Sequence, residues 1–184
     1  MFYQAELIMK GRNMSRWRDP ATDPRAEEKT NLITPEGHAK LKSTRDFLWQ
    51  VRHPELAIKV REAAAQGDRS ENADYTYNKR ELNRTLSRIR FLDQRLDVLK
   101  VVDRQPADTN RVFFGAWVTL EDEAGEEETF RIVGPDESDV SHQLISIDAP
   151  RARLLLGKNL DDEVDLPTPE GPKPFIITTI HYNV

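Results

Sequence analysis

Three carboxylates stand close together in the stretch GDRSENADY, which covers residues 67–75. Asp68 and Glu71 are three positions apart, and Asp74 follows after three more. Carboxylate oxygens suit magnesium, which proteins usually hold with only one or two acidic side chains while water and phosphate oxygens complete the octahedron. Two acids alone bind such an ion poorly. The residue types therefore predict a half-site that a second molecule, already holding nucleic acid, completes.

The same spacing also fits a capping box at the start of a helix. In that arrangement Asp68 accepts a hydrogen bond from the Glu71 amide, and Glu71 reaches back to the Asp68 amide. Spacing alone favours the cap over the metal. Both interpretations of the pair stay open at this point.

Two long segments with helical periodicity flank the acidic turn and must position it. Apolar residues recur at intervals of seven on both sides, as an a/d seam requires. The positions are Leu41, Leu48, Val51 and Ile58 before the turn, and Leu82, Thr85, Ile89, Leu92, Leu96 and Leu99 after it. Two such helices bury their seams by folding back on each other, so we predict an antiparallel coiled-coil hairpin. Gly67 suits the end of the first helix, and the arm would extend about 45 Å from its base.

Local signals mark the start and an irregularity of the first arm. Thr34 is a good N-cap, Pro35 fits the first helical position, and Glu36 complements the helix dipole. Further along, Pro54 follows His53 within the helical pattern. Because proline lacks a backbone donor and clashes with the preceding turn, we expect a kink or local break there.

The second arm carries an excess of positive charge behind the turn. Between residues 76 and 100 there are seven Lys or Arg side chains and three acidic ones. Lys79, Arg80 and Arg84 suit contact with a phosphate backbone, although a solvated helix face also explains them. Tyr75 and Tyr77 can stack on a base, or can close the end of the coiled coil.

The second half of the chain has strand-like rather than helical patterning. Residues 104–110 read as a linker, and runs rich in β-branched and aromatic residues follow at 112–120, 129–133, 144–147, 163–166 and 175–182. One short helix is expected over 151–156, capped by Asp148 and ended by Gly157. The predicted fold class is α+β: a helical hairpin at 31–103, then an antiparallel sheet with one helix at 111–184.

Charge divides unevenly between the two halves. Residues 1–100 hold twenty basic and fifteen acidic side chains, whereas residues 101–184 hold seven and seventeen. An acidic second domain is a poor match for nucleic acid and is expected to dock on protein, or merely to be soluble.

Composition excludes several classes of function. The chain has no cysteine, which rules out disulfides and thiol catalysis and is compatible with a reducing cytoplasm. The four histidines are scattered without metal-ligand spacing. No run is apolar enough for a secretory signal or a membrane span, so we expect a cytoplasmic chain without a membrane partner. Residues 1–30 are expected to form a flexible extension.

Several motifs together resemble bacterial transcript-cleavage factors of the Gre family, the GreB type most closely. They are GDRSENADY at 67–75, YNKR at 77–80, VFFGAWV at 112–118, FRIVG at 130–134 and ISID at 145–148. The resemblance covers about residues 31–184 and leaves 1–30 outside. It implies a coiled-coil hairpin and an FKBP-like C-terminal domain, in a factor that enters the secondary channel of bacterial RNA polymerase and stimulates the polymerase's own cleavage of backtracked RNA.

The resemblance also implies roles for individual residues. Asp68 and Glu71 would help to hold the second Mg²⁺ of the polymerase active centre, with Asp74 a weaker candidate. Lys79, Arg80, Arg84 and Tyr75 would contact the extruded RNA 3′ segment. A polymerase-docking loop falls on Ser146, Ile147, Asp148 and Pro150. The family pattern has Ser immediately before the proline, where this chain has Ala149. The factor would be a monomer, with no cofactor of its own and no enzymatic activity alone.

Three other functions remain compatible with the residues. One is a channel regulator of the same shape that does not stimulate cleavage. The presence of both Asp68 and Glu71 argues against this function. Another is a peptidyl-prolyl isomerase, suggested only by the FKBP-like domain. The last is a structural coiled-coil adaptor, in which the acids at the turn are only a cap.

Overall fold

The first part of the chain forms a helical hairpin in the computed structural model, which describes residues 29–65, 72–169 and 171–182. Helix α1 (Pro35–Phe47) continues through a π-helical turn (Leu48–Arg52) into α2 (His53–Ala65), and α3 (Ala73–Val98) packs against α1 and α2. The predicted hairpin is thus confirmed. The predicted helix end at Gly67 lies outside the described residues.

Helix α1 begins as the sequence predicts. The Thr34 hydroxyl accepts a hydrogen bond from the Gly37 amide at 3.0 Å, and Pro35 occupies the first helical position. These features satisfy one of the orphan donors of the first turn, and the missing donor of Pro35 costs nothing there.

The irregularity expected near Pro54 is a π-helical turn within a continuous helix. The His53 amide donates to the Leu48 carbonyl, five residues back, where an α-helix would bond four residues back. In a regular helix the Pro54 ring would press on the Gln50 carbonyl. Widening the helix at Leu48–Arg52 relieves that contact and adds one residue to the turn.

The extra residue shifts the buried face of the first arm. Val51 and Ile58, both predicted in the seam, are 41% and 46% exposed. The buried residues of α2 are instead Leu56 and Ala63. A one-residue insertion displaces a heptad pattern by one position, which explains why the prediction was wrong beyond the π turn.

Helix α3 follows the predicted seam. Thr85, Ile89 and Leu92 are buried, and Leu82 and Leu96, on either side of them along the helix, are half-buried. The regular spacing works here because α3 runs unbroken for 26 residues.

Two short strands join the arms at the base of the hairpin. Strand β1 (Leu32–Ile33) precedes α1 and pairs in parallel with β2 (Lys100–Val101), which follows α3. The Val102 amide extends the pairing by donating to the Ile33 carbonyl at 2.9 Å. Ile33 is buried beneath this ladder, so the base of the hairpin has its own apolar anchor.

The second part of the chain is a five-stranded sheet covered by one helix. In space the strands run β5 (Leu144–Ser146), β4 (Glu127–Val133), β3 (Trp117–Asp122), β7 (Gly171–His181) and β6 (Glu163–Thr168). All neighbouring pairs are antiparallel except β4 with β5, which is parallel. The α+β prediction is confirmed, with one parallel pair that it did not include.

Helix α4 (Pro150–Leu155) closes the core of the sheet. It inserts Ala152 and Leu155 among side chains from β3, β4, β6 and β7. Alternation along β3 places Val118 and Leu120 on this inner face, as a half-buried strand requires.

The predicted cap of α4 was wrong. Ala149 occupies the N-cap position and makes no side-chain hydrogen bond there, while Pro150 sets the start of the helix. Asp148 lies one residue too early to cap, and its carboxylate instead accepts from the amide and hydroxyl of Thr30. The predicted end at Gly157 has the positive φ of 82° that a left-handed residue after a helix adopts.

Candidate functional site: the hairpin apex and the loop before α4

The described part of the apex is held together by Asn72. Its side-chain oxygen accepts from the Tyr75 amide at 2.9 Å, which caps α3, and its amide nitrogen donates to the Ala63 carbonyl on α2 at 2.9 Å. One side chain therefore joins the end of the outgoing arm to the start of the returning arm. Sequence analysis missed this role, although Asn immediately before a helix is a recognisable N-cap signal.

The Asn72 cap changes the balance between the two interpretations of the acidic pair. Asp68 and Glu71 lie outside the described residues, between Ala65 and Asn72. The described helix that follows them already has its N-cap, in a residue that is not part of the pair. The capping-box alternative is therefore wrong for the start of α3, and Asp68 and Glu71 stay predicted ligands.

Two further acids line a shallow groove beside the apex. Asp74 is exposed on the first turn of α3, and the groove brings it near Glu62 on α2, with Lys59 and Asn78 as the other polar walls. Within residues 29–65, 72–169 and 171–182, no three His, Asp or Glu side chains are arranged to hold a metal. A magnesium site built from the described residues alone is therefore not formed.

Three of the predicted RNA-contacting residues are exposed on α3 and the fourth, Tyr75, is half-buried, and the four do not form one patch. Arg80 and Arg84, four residues apart, share the face opposite the seam. Lys79 lies on a neighbouring face, with its ammonium 5.3 Å from the centroid of the Tyr75 ring. The Arg84 guanidinium pairs with Glu81 at 2.6 Å. Lys79 therefore lies apart from the line that Arg80 and Arg84 form along α3.

The face of Arg80 and Arg84 continues further than we predicted. Arg88 follows four residues on, and its guanidinium lies 5.0 Å from the centroid of the Phe91 ring, which is itself exposed. Sequence analysis counted Arg88 in the charge excess without nominating it. The spacing of 80, 84 and 88 was the signal that would have found it.

The loop before α4 is largely committed to contacts within the chain. The Ser146 hydroxyl accepts from the Asp148 amide at 3.1 Å, Ile147 packs against the sheet core, and Asp148 binds Thr30. Of the four predicted docking residues only Pro150 is exposed. Leu154, one turn further on α4, is also exposed and extends this surface.

An ordered turn lies beside this loop, just before β5. The Asp139 carboxylate accepts from the Ser141 amide at 3.0 Å and hydroxyl at 2.6 Å, and lies 2.9 Å from His142 Nδ1. Hydrogen bonds from Ser141, and then from His142, lower the pKa of Asp139 to about 2. Gln143 closes the turn in the left-handed region at φ 58°.

The geometry defines a two-part α+β protein, in which a long helical hairpin adjoins an acidic sheet domain. Glu62 and Asp74 are described acids that lie beside the apex of the hairpin. No described helix combines the length and the apolar character that crossing a bilayer requires.

Comparison with known proteins identifies the family. The N-terminal domain of the GreA/GreB transcription elongation factors matches residues 31–101, and the C-terminal domain of the same factors matches residues 106–182. The chain belongs to the GreA/GreB family of transcription elongation factors.

Two GreB factors with high sequence identity agree with this assignment. The chain is 55% identical over 169 residues to the transcription elongation factor GreB of Pseudomonas aeruginosa, covering 92% of this chain and 98% of the relative. It is 53% identical over 170 residues to the GreB of Xanthomonas axonopodis pv. citri, at 92% and 98% coverage. Among solved structures, the GreA factor homolog Gfh1 of Thermus thermophilus is 25% identical, with 82% of this chain and 97% of that chain covered and a TM-score of 0.38.

Proposed function

We propose that this elongation factor binds bacterial RNA polymerase in the cytoplasm as a monomer and inserts its hairpin into the secondary channel. There it stimulates the polymerase's own cleavage of backtracked RNA and so lets arrested complexes resume. In this proposal the chain has no catalytic activity of its own and stimulates the nuclease activity of the polymerase in trans. Its contribution is to donate ligands to a partner's active centre.

The observation that carries this proposal is the Asn72 cap. With α3 capped and tied to α2 without their help, Asp68 and Glu71 are released from a structural role at the start of that helix. Two carboxylates at the end of a projecting arm then have a use only if a target supplies the remaining ligands.

The donor set fits a shared magnesium ion. Asp68 and Glu71 would provide one or two carboxylate oxygens, and the polymerase and its RNA would provide the rest, as Mg²⁺ prefers. When bound, such an ion would supply stabilisation of the attacking and leaving oxygens in phosphodiester hydrolysis. Asp74, exposed on the first turn of α3, is the next nearest acid on that arm.

The apex acids are tested by conservative substitution. Asp68→Asn and Glu71→Gln keep the shape of the side chain but remove its charge, so each should slow RNA cleavage in a backtracked complex by about 100-fold, since loss even of a residue that only supports a metal ligand costs about 10–100-fold. Binding to polymerase, measured by competition with a labelled wild-type factor, should change little. Asp97→Asn, an exposed acid near the far end of α3, is the matched control. Cleavage at the wild-type rate by both apex variants would exclude the ligand role.

The RNA contact is tested by charge reversal on α3. Lys79→Glu with Arg80→Glu should weaken action on long backtracked RNA more than on short, because only a long extruded segment reaches those side chains. Arg84→Glu and Arg88→Glu should likewise weaken action on long backtracked RNA more than on short. An equal loss on long and short RNA would contradict contact along this helix.

A further inference from the structure

The hairpin and the sheet domain are joined by a set of polar and charged residues, most of which the function described so far does not use. The joint lies between the N-terminus of α1, the last turn of α3 and the tight turn after β4. Its residues are Thr30, Asn31, Thr34, Gly37, Arg95, Asp136, Glu137 and Asp148.

Glu137 is the centre of the first half of the joint. Its carboxylate accepts from the Thr34 amide at 3.0 Å, from the Thr34 hydroxyl at 2.6 Å and from the Gly134 amide at 2.8 Å. The same Thr34 hydroxyl accepts from Gly37 and so caps α1. The sheet domain therefore orients the group that starts the first arm, and its carboxylate lies at the positive end of that helix.

Arg95 is the centre of the second half. From the last turn of α3 its guanidinium binds Asp136 at 2.6 Å, the Asn31 side chain at 2.5 Å and the Thr30 carbonyl at 2.7 Å. The side chains of Arg95 and Asp136 are only 14% and 8% exposed. Charge-assisted bonds that are so sheltered from water are stronger than surface pairs and fix a geometry. Both arms are thus held by adjacent acids of one turn.

Two glycines of the joint allow its close packing. A Cβ on Gly37 would come within 1.7 Å of Glu137 Oε2, and a Cβ on Gly134 would come within 2.2 Å of the Leu32 carbonyl oxygen. Glycine at both positions lets the turn after β4 approach the first turn of α1. The close approach brings the carboxylates within bonding distance.

The length of the hairpin amplifies any error at this joint. From Pro35 to Ala65 the arm extends about 45 Å, so a tilt of about 5° at the base displaces the apex by about 4 Å. That displacement equals the spacing of about 4 Å between the two ions of a two-metal site. A misplacement of about 1 Å can already cost about 100-fold in rate.

We propose that Glu137 and the Arg95–Asp136 ion pair are positioning residues, which set the direction of the hairpin relative to the sheet domain and hence where the acidic apex arrives. The inference rests on the proposed function, since a direction matters only if the apex must meet a target. None of these side chains contacts RNA or metal in this role. They act through the orientation of α1 and α3.

The proposal predicts that variants of the joint keep their affinity for polymerase but lose cleavage activity. Loss of its bonds should leave the surface around Pro150 and Leu154 intact, so the factor concentration for half-maximal cleavage should change less than twofold. The cleavage rate at saturating factor should fall about tenfold, because the apex spends less time in the productive position. The variants are Glu137→Ala, Glu137→Gln and Asp136→Asn. Glu123→Gln, an exposed acid of the β3–β4 turn, is the matched control.

Direct measurement of the hairpin direction separates positioning from other causes. Because the chain contains no cysteine, Lys59→Cys on α2 and Glu163→Cys on β6 give a pair of spin labels without background. Their distance distribution should be narrow in the parent chain and in Glu123→Gln, and clearly broader in Glu137→Ala. Glu137→Gln, which keeps one acceptor oxygen, should be intermediate both in width and in saturated rate.

Several outcomes would overturn the inference. A distribution as narrow as the parent's in Glu137→Ala would show that the joint does not hold the hairpin. A broad distribution with an unchanged saturated rate would show that direction does not matter. A rate loss that excess factor restores would place the effect in docking instead. If the parent chain itself fails to stimulate cleavage, the proposed function fails, whereas the distance measurement still decides whether these residues set the direction.

Discussion

At the scale of single residues, the double contact of Asn72 does the most to shape the apex. It caps α3 and binds the Ala63 carbonyl across the turn. A sequence places Asn before a helix readily, but the second contact depends on where α2 ends, which local signals do not reveal. The same limit explains why Asp68, three residues before Glu71, was a plausible cap until the described start of α3 was known.

Substitution of Asn72 should therefore weaken the apex without unfolding the chain. Asn72→Ala is expected to lower the free energy of unfolding by about 1 kcal/mol, the usual cost of losing an N-cap. Asn83→Ala, on the exposed face of α3, should have little effect or stabilise slightly because Ala favours helix. Urea unfolding followed by circular dichroism measures both changes. Equal effects of the two variants would mean that the cap contributes nothing.

The ordered turn at Asp139 should respond to acid in a defined range. Its pKa is lowered from 3.8 to about 2 by bonds from Ser141 and His142. A group whose pKa is lower in the folded state stabilises the fold above its unfolded pKa, and that contribution is lost as the pH falls from about 4 to about 2. The carboxyl ¹³C shift of Asp139 should titrate near pH 2. A midpoint at 3.8 would contradict the bonding described for this turn.

At the scale of elements, the two arms show what a heptad pattern can and cannot predict. On α3 the spacing alone located Thr85, Ile89 and Leu92 because nothing interrupts the helix. On the first arm Pro54 signalled an irregularity, but not that it would add a residue. The sequence could not distinguish a kink, which keeps the register, from a π turn, which changes it.

The shifted seam makes a direct prediction about stability. Leu56→Ala should cost about 2–5 kcal/mol, as for other buried leucines. Ile58→Ala, at a position that a continuous heptad would bury but that is 46% exposed here, should cost less than about 1 kcal/mol. Urea unfolding of both variants and the parent chain compares them. A larger loss of stability in Ile58→Ala than in Leu56→Ala would support an uninterrupted heptad in the first arm.

Most strands of the sheet were predicted from the sequence, but the start of β3 was not. The runs at 129–133, 144–147, 163–166 and 175–182 overlap β4, β5, β6 and β7, whereas the run at 112–120 began five residues before β3 and contained only the first four of its six residues. Val112 is buried outside the strands, held by backbone bonds with Gly157 and Lys158. Burial in an irregular segment resembles a strand when only hydrophobicity is visible.

At the scale of the whole molecule, the joint between the domains was not predicted at all. Glu137 and Thr34 are 103 positions apart, and Arg95 and Asp136 are 41 apart. Acidic residues in a turn after a strand suggest only solubility. The pairing becomes visible when the base strands β1 and β2 bring the start of α1 and the end of α3 to the same place.

Removal of Arg95 should uncouple the two domains thermally. Breaking a sheltered ion pair by deleting one partner is expected to cost about 3–5 kcal/mol, because Asp136 is left without its counter-charge. In scanning calorimetry we expect the parent chain to melt in one transition. In Arg95→Ala we expect the hairpin to melt before the sheet domain. Arg90→Ala, exposed on the same helix, should melt like the parent. A single unshifted transition in Arg95→Ala would show that this pair does not couple the domains.

The two glycines of the joint also limit how related proteins can be redesigned. A methyl group at residue 134 would collide with the backbone carbonyl of Leu32, and one at residue 37 would displace the Glu137 carboxylate from its bonds to Thr34. A designer who wants a factor with a different reach angle must change both sides of the contact together, for example Gly37→Ala with Glu137→Ser. The missing side chains at residues 37 and 134 therefore limit the angle between the hairpin and the sheet domain. Variants with another angle are to be sought among paired substitutions.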